Sequence, residues 1–187
     1  ETAAGYAFPV DDAFRRILGT LKQGREVEYG FLGIRPFNLS LEESVSGLHG
    51  TRVRHIVPGT PAARHGVMSG DVITSVNGKE IFDSDGLVLE VGRLPVEAVV
   101  QLGVLRDDRE LNLGVTLAKF PVRGRKIVTS PSPDWRGMRI DYPTAVSGDL
   151  SVAGLDTRFF DAGVIVIDVQ EGTPAWGSGI RAGQVVT

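Results

Sequence analysis

The period of apolar positions changes several times between residues 52 and 117. "RVRHIV" (52–57) alternates apolar and polar residues, the pattern of a half-buried strand. "DVITSV" (71–76) reads as a second strand, and Asn77-Gly78 behind it is a strong two-residue hairpin signal, with "EIF" (80–82) starting the returning strand. Between these strands Thr60 can cap a short helix whose first residue is Pro61, where a missing N–H costs nothing, and Gly66 suits its left-handed stop. The period then lengthens. Asp83 or Ser84 can cap a helix carrying Leu87, Val88, Leu89, Val91 and Leu94, which Pro95 closes. Leu87, Val91 and Leu94 share one stripe and are assigned to the core, while Val88 is rotated off it. "AVVQLGVLR" (98–106) and "ELNLGVTL" (110–117) form a hairpin around Asp107-Asp108. Several strands with two short helices predict an α+β fold, mainly β: a small sandwich or barrel of roughly 90 residues.

Upstream, Val10, Phe14, Ile17, Leu18 and Leu21 fall at i, i+4, i+7, i+8 and i+11, one face of a helix with Asp11 at its N-cap and Gly24 past its end. Downstream the pattern returns. Pairing residue i with i+113 matches Gly50, Val53, Gly59, Thr60, Pro61, Ala62, Gly66, Gly70, Val72 and Thr74 with identical residues, from Gly163 to Thr187. Most other pairs are conservative, such as Val67 with Ile180, so the chain contains an internal duplication. The second copy is expected at 135–187, after a linker over 119–134 that holds "TSPSPD" (129–134). It lacks counterparts of residues 75–117 and is expected to be an incomplete unit.

Composition narrows the function. A formal charge of −3 and a pI near 5.6 argue against a binder of nucleic acid or acidic membrane. No apolar run approaches the roughly 18–20 residues of a membrane span, and the lack of cysteine excludes disulfides and thiolate metal sites. A serine hydrolase needs a nucleophile, a base and an orienting acid. The three histidines, His49, His55 and His65, all lie within the first copy, and His55 and His65 read as surface polar residues. No Gly-x-Ser-x-Gly turn, HExxH motif or Gly-rich phosphate loop occurs. No catalytic residue, metal site or cofactor is assigned to this chain.

"GTPAARHGVMSGDVITSVNGKEI" (59–81) resembles the core of a bacterial-type PDZ domain, and "YGFLGI" (29–34) resembles that family's carboxylate-binding loop. "GYAFPV" (5–10), a helix and then "EYGFLGI" together look like the exit from the protease domain of the HtrA/Deg serine proteases. The resemblance implies this division: residues 1–28 a terminal strand of a missing protease domain and a linker helix; 29–118 a first PDZ domain; 119–134 a linker; 135–187 a second, truncated PDZ domain. It also implies a fragment of an extracytoplasmic, periplasmic endopeptidase for protein quality control. Its partners would be unfolded polypeptides and its own protease domain, through which the parent assembles as a trimer.

The resemblance and the residue chemistry converge on peptide binding. Successive amides in a glycine-containing turn form an anion nest for a terminal carboxylate, and the peptide then adds as a strand beside residues 33–37. Gly30 and Gly33 supply backbone freedom, and Phe31, Leu32 and Ile34 are the pocket candidates on the loop side. Ser84 and Val88 are the groove candidates on the helix. The partners expected are apolar C-termini or extended apolar segments. In the second copy, "RGMRI" set against "GFLGI" places Arg139 where the first has Gly33, so carboxylate binding is not expected there. Gln184 in place of Asp71 is a second departure. "NLSLEESVSGLHG" (38–50) reads as a solvated loop rather than a gate over the groove. The alternative from another class is a structural module whose PDZ units contact each other or the protease and take no free peptide.

Overall fold

The computed structural model describes residues 10–121, 134–146 and 163–187. The strand expected at 1–9, most of the linker and the stretch 147–162 lie outside the described residues. The chain divides into two compact units: the described part of the first runs through Val27, and the second holds Glu28–Arg123 and Asp134–Thr187, the second copy included.

In the first unit, helix α1 (Asp12–Lys22) begins where expected: the Asp11 carboxylate accepts from the Phe14 amide at 2.8 Å. It ends at Gln23, with Gly24 at φ +67°.

The second unit opens with β1 (Gly30–Phe31), β2 (Ile34–Asn38), the short helix α2 (Leu41–Val45), β3 (Thr51–Ile56) and α3 (Pro61–Arg64). Then follow β4 (Val72–Val76), β5 (Lys79–Glu80), α4 (Ser84–Gly92), β6 (Val99–Arg106), β7 (Arg109–Thr116) and β8 (Ala118–Lys119). The main sheet runs β2-β3-β4-β6-β7 with β5 beside β4, and β1 pairs separately with β8. Its turns match the chemistry of their residues. Asn77-Gly78 and Asp107-Asp108 all take positive φ, as two-residue hairpins that follow strand twist require. Alternation along β6 buries Val100, Leu102 and Val104, which meet Leu87 and Val91 of α4 in one core with Val53, Ile73, Val76, Ile81 and Val115. Of the stripe assigned to the core, Leu87 and Val91 are buried and Leu94 packs against them partly buried.

Two local expectations change. Thr60 occupies the N-cap position of α3 but makes no cap bond; its hydroxyl donates to the Val57 carbonyl at 2.6 Å and lies 3.3 Å from that of Gly33. Residues 41–45 are a helix rather than a loop, because Ser40 and Glu43 form a reciprocal capping box: the Glu43 amide donates to the Ser40 hydroxyl, and the Ser40 amide to the Glu43 carboxylate.

The second copy contributes β9 (Met138–Asp141), α5 (Pro143–Val146), β10 (Val164–Val169), α6 (Pro174–Gly177) and β11 (Val185–Val186), with sheet order β11-β10-β9. Its hydrogen bonds reproduce those of the first. Val57 N–H donates to Gly33 at 2.9 Å and Ala62 N–H to Leu32 at 2.9 Å; Gln170 donates to Gly137 at 2.8 Å and Ala175 to Arg136 at 3.2 Å. The residue matching Gly33 is therefore Gly137, not Arg139. A Cβ at Gly137 would lie 2.3 Å from Thr173, as one at Gly33 would lie 2.1 Å from Thr60, and their φ values are +85° and +83°. Arg139 instead sits two residues further on, at the position of Arg35, so the argument it offered against carboxylate binding falls away.

Candidate peptide-binding groove

One cleft of about 290 Å³ lies between the β1–β2 segment and α4. Tyr29, Gly30, Phe31, Leu32, Gly33, Ile34 and Pro36 line one wall, Leu87, Val88, Val91 and Gly92 the other, and Phe120 closes the set. The structure thus gathers six of the seven residues singled out for binding: Gly30, Phe31, Leu32, Gly33, Ile34 and Val88. Val88 is 56% exposed, as its rotation off the core stripe predicts. Ser84 is not among the lining residues. As the first residue of α4 it follows the N-cap Asp83, whose carboxylate accepts from the Gly86 amide at 2.6 Å. Its hydroxyl lies 3.0 Å from that of Thr51, and its amide donates to Asn38 Oδ1 at 2.7 Å. Those bonds tie the start of α4 to the ends of β2 and β3.

The loop at the head of the cleft is shaped by close approach. A Cβ at Gly30 would lie 2.6 Å from both Leu117 Cδ1 and the Val91 carbonyl, so side-chain size, not φ, requires glycine there. Gly33 combines the positive φ with its contact on Thr60. The Gly30 amide is spent on the Leu94 carbonyl at 3.1 Å, whereas among the described residues those of Leu32 and Gly33 donate to no protein acceptor. Along the side of the cleft, β2 is an edge strand, bonded among the described residues only to β3. Pro36, which has no N–H, is tolerated there because the outer half of an edge ladder is unfilled.

Phe120 was beyond sequence reasoning. It meets Phe31 edge-on, with ring centres 5.6 Å apart and planes at 83°, and its amide donates to the Tyr29 carbonyl at 2.8 Å. The pairing that brings it there, Gly30 with Lys119 and Phe31 with Ala118, joins residues nearly ninety positions apart. Tyr29, Pro36 and Gly92 were not singled out either.

A loop with open amides, an edge strand and a helix surround one apolar cleft, and residues 30–117 match the PDZ domain model. Residues 30–117 are a PDZ domain. The likeness runs further along the chain. It is 34% identical over 188 residues to a probable periplasmic serine endoprotease DegP-like of Pseudomonas putida W619, covering 97% of this chain and 39% of that protein. It is 29% identical over 186 residues to the periplasmic serine endoprotease DegP of Escherichia coli K12, covering 97% of this chain and 36% of that one. The chain therefore spans little more than a third of these relatives. A solved structure, the HtrA-type protease AlgW with a decapeptide, matches with a TM-score of 0.51 and 26% identity over 58% of this chain and 35% of that one. The chain is homologous to the PDZ region of HtrA/Deg serine endoproteases, proteins named as periplasmic. Among its described residues no helix is long and apolar enough to cross a membrane.

Proposed function

We propose that the PDZ domain captures the carboxyl-terminal end of apolar peptides by strand addition, as the regulatory region of an HtrA-like endopeptidase. The observation that carries this reading is the junction of three features. The Leu32 and Gly33 amides stand open, the cleft beside them is apolar, and the edge of β2 runs along it. A terminal carboxylate would accept from the two amides, the last side chain would enter the cleft, and the preceding residues would bond to β2. An added strand receives no bond from Pro36, so the ladder is short and micromolar affinity, about −8 kcal/mol, follows. The parent we infer is periplasmic, acts on unfolded polypeptides and assembles as a trimer through its protease domain. In it, residues 29–118 and 135–187 serve as successive PDZ units. The rival reading, a module for contacts between units, draws support from the second copy's bonds to Lys119, described below, but these lie on the β8 side of the domain.

Titration of the chain with a short peptide ending in valine, as free acid and as amide, tests the reading by NMR shifts. The acid should bind about 1.5–3 kcal/mol more tightly, the range for hydrogen bonds to a charged group. Val88→Glu, at the exposed wall, should block it. Equal binding of acid and amide would overturn the carboxylate mechanism and put the rival ahead.

A further inference from the structure

Beside the cleft, the outer face of the sheet carries two arginines and a histidine that form no ion pair among the described residues. Strand β3 holds one more residue than β2 at this point: Arg35 pairs with His55, but the next residue, Pro36, pairs with Val53. The extra residue is Arg54, so two consecutive side chains, Arg54 and His55, are exposed between the buried Val53 and the half-buried Ile56. On β2, Ile34 and Pro36 face the cleft, which turns Arg35 and Phe37 to the opposite side. Arg54 stacks over Phe37, its guanidinium carbon 5.4 Å from the ring centre. Among the described residues, no carboxylate makes an ion pair with Arg35, Arg54 or His55. The neighbouring Arg52 is already held by Glu43 and, at 2.8 Å, by the Gly70 carbonyl.

The second copy supplies a comparison inside the same chain. It has the same bulge, between Val166 and Asp168, and the same outward positions, but they hold Arg139, Ile167 and Asp168. There the arginine is neutralised at home: Arg139 Nη2 lies 2.9 Å from the Asp168 carboxylate. At the equivalent place the first copy has His55 instead of an acid and Arg54 instead of an isoleucine.

We infer that this face is a subsite for acidic side chains of the bound peptide. The inference rests on the strand-addition reading. In an added strand successive side chains alternate between faces, and directly paired residues share one. If the terminal residue enters the cleft, the second and fourth residues from the carboxyl end lie on the outer face, over Arg35, Arg54 and His55. The ligand class is therefore an apolar-ended peptide with glutamate or aspartate at those two places. These are exposed rim charges, so each acid adds a factor of about three rather than a hundred, and salt removes it.

The test uses alanine-based peptides ending in valine, with alanine, glutamate or lysine at the second and fourth places from the end. At low salt the glutamate peptide should bind about tenfold more tightly than the alanine peptide and the lysine peptide more weakly. The spread should collapse between about 50 mM and about 0.5 M salt. In the double variant Arg35→Glu, Arg54→Glu the glutamate-to-lysine ratio should invert, a readout within one protein preparation. If the alanine peptide binds and the three affinities are equal, the subsite is overturned while peptide capture stands. If the alanine peptide fails to bind, capture itself fails and the subsite with it.

Discussion

Asp71 shows how one side chain can hold three segments. It is 1% exposed, and its carboxylate takes Arg106 in a two-point bond, at 2.7 Å from Nε and 2.8 Å from Nη2, while accepting from the Met68 amide at 2.8 Å. The second copy separates these roles. Gln184 Oε1 accepts from the Arg181 amide at 2.9 Å, keeping the turn bond with a neutral side chain. Asp71 and Gln184 therefore differ in charge pairing, not in turn geometry. It follows that Asp71→Asn keeps the turn before β4 but loses the charge-assisted pair to β6. The expected cost is about 2 kcal/mol, read from the denaturant midpoint, with the amide shifts of residues 66–71 nearly unchanged. A collapse of the turn in that variant would show that the arginine, and not the amide bond, sets its shape.

At the scale of elements, local period and turn chemistry carried β3, β4, β6, β7 and α4, because alternation, an Asn-Gly pair and an Asp cap are written within a few residues of one another. The wall formed by Phe120 was not legible, since the β1–β8 pairing joins residues nearly ninety positions apart and leaves no local mark. The slip that placed Arg139 opposite Gly33 has a similar cause. The glycine there is selected by its contact with Thr60 or Thr173, a partner distant in sequence. Helix α2 is different: Ser40 followed by Glu43 is a local signal, and reading the segment as a loop passed over it. That capping box also has a pH signature. Hydrogen bonds from the Ser40 amide first, then its hydroxyl, and then Arg52 hold the Glu43 carboxyl below its ordinary value. A depressed folded value means the support is complete above the usual glutamate range and is lost as pH falls through the folded value. Amide exchange in α2 should therefore speed up relative to β6 below about pH 4, and Glu43→Gln should flatten that dependence. A pH-independent ratio in the unaltered chain would show that the box contributes nothing.

At the scale of the whole molecule, the two copies are joined at a buried cation. Lys119 is 2% exposed, and its ammonium lies 2.8 Å from Asp141 and 3.0 Å from Glu28. Thr144 Oγ1 donates to the Lys119 carbonyl at 2.8 Å, and Tyr142 donates to Glu97 at 2.8 Å. Burial disfavours the charged lysine, but the bonds to Asp141 and Glu28 outweigh it and raise its pKa above the ordinary value. The raised value means that the support is complete below the usual lysine range and lost only above it. These contacts tie the second copy to the first across the linker. They also make two perturbations of the same contact unequal. Deleting residues 134–187 returns Lys119 to water, where it needs no partner, and costs the first domain little. Asp141→Asn keeps the lysine buried but removes one of its carboxylate partners, and a buried charge deprived of a partner is costly. Amide exchange of Val100 and Leu102, in the core of the first domain, should thus report a loss of about 2 kcal/mol in the point variant and less than about 1 kcal/mol in the deletion. The reverse order would mean that the second copy stabilises the first by burying surface, and that the ion pair is incidental.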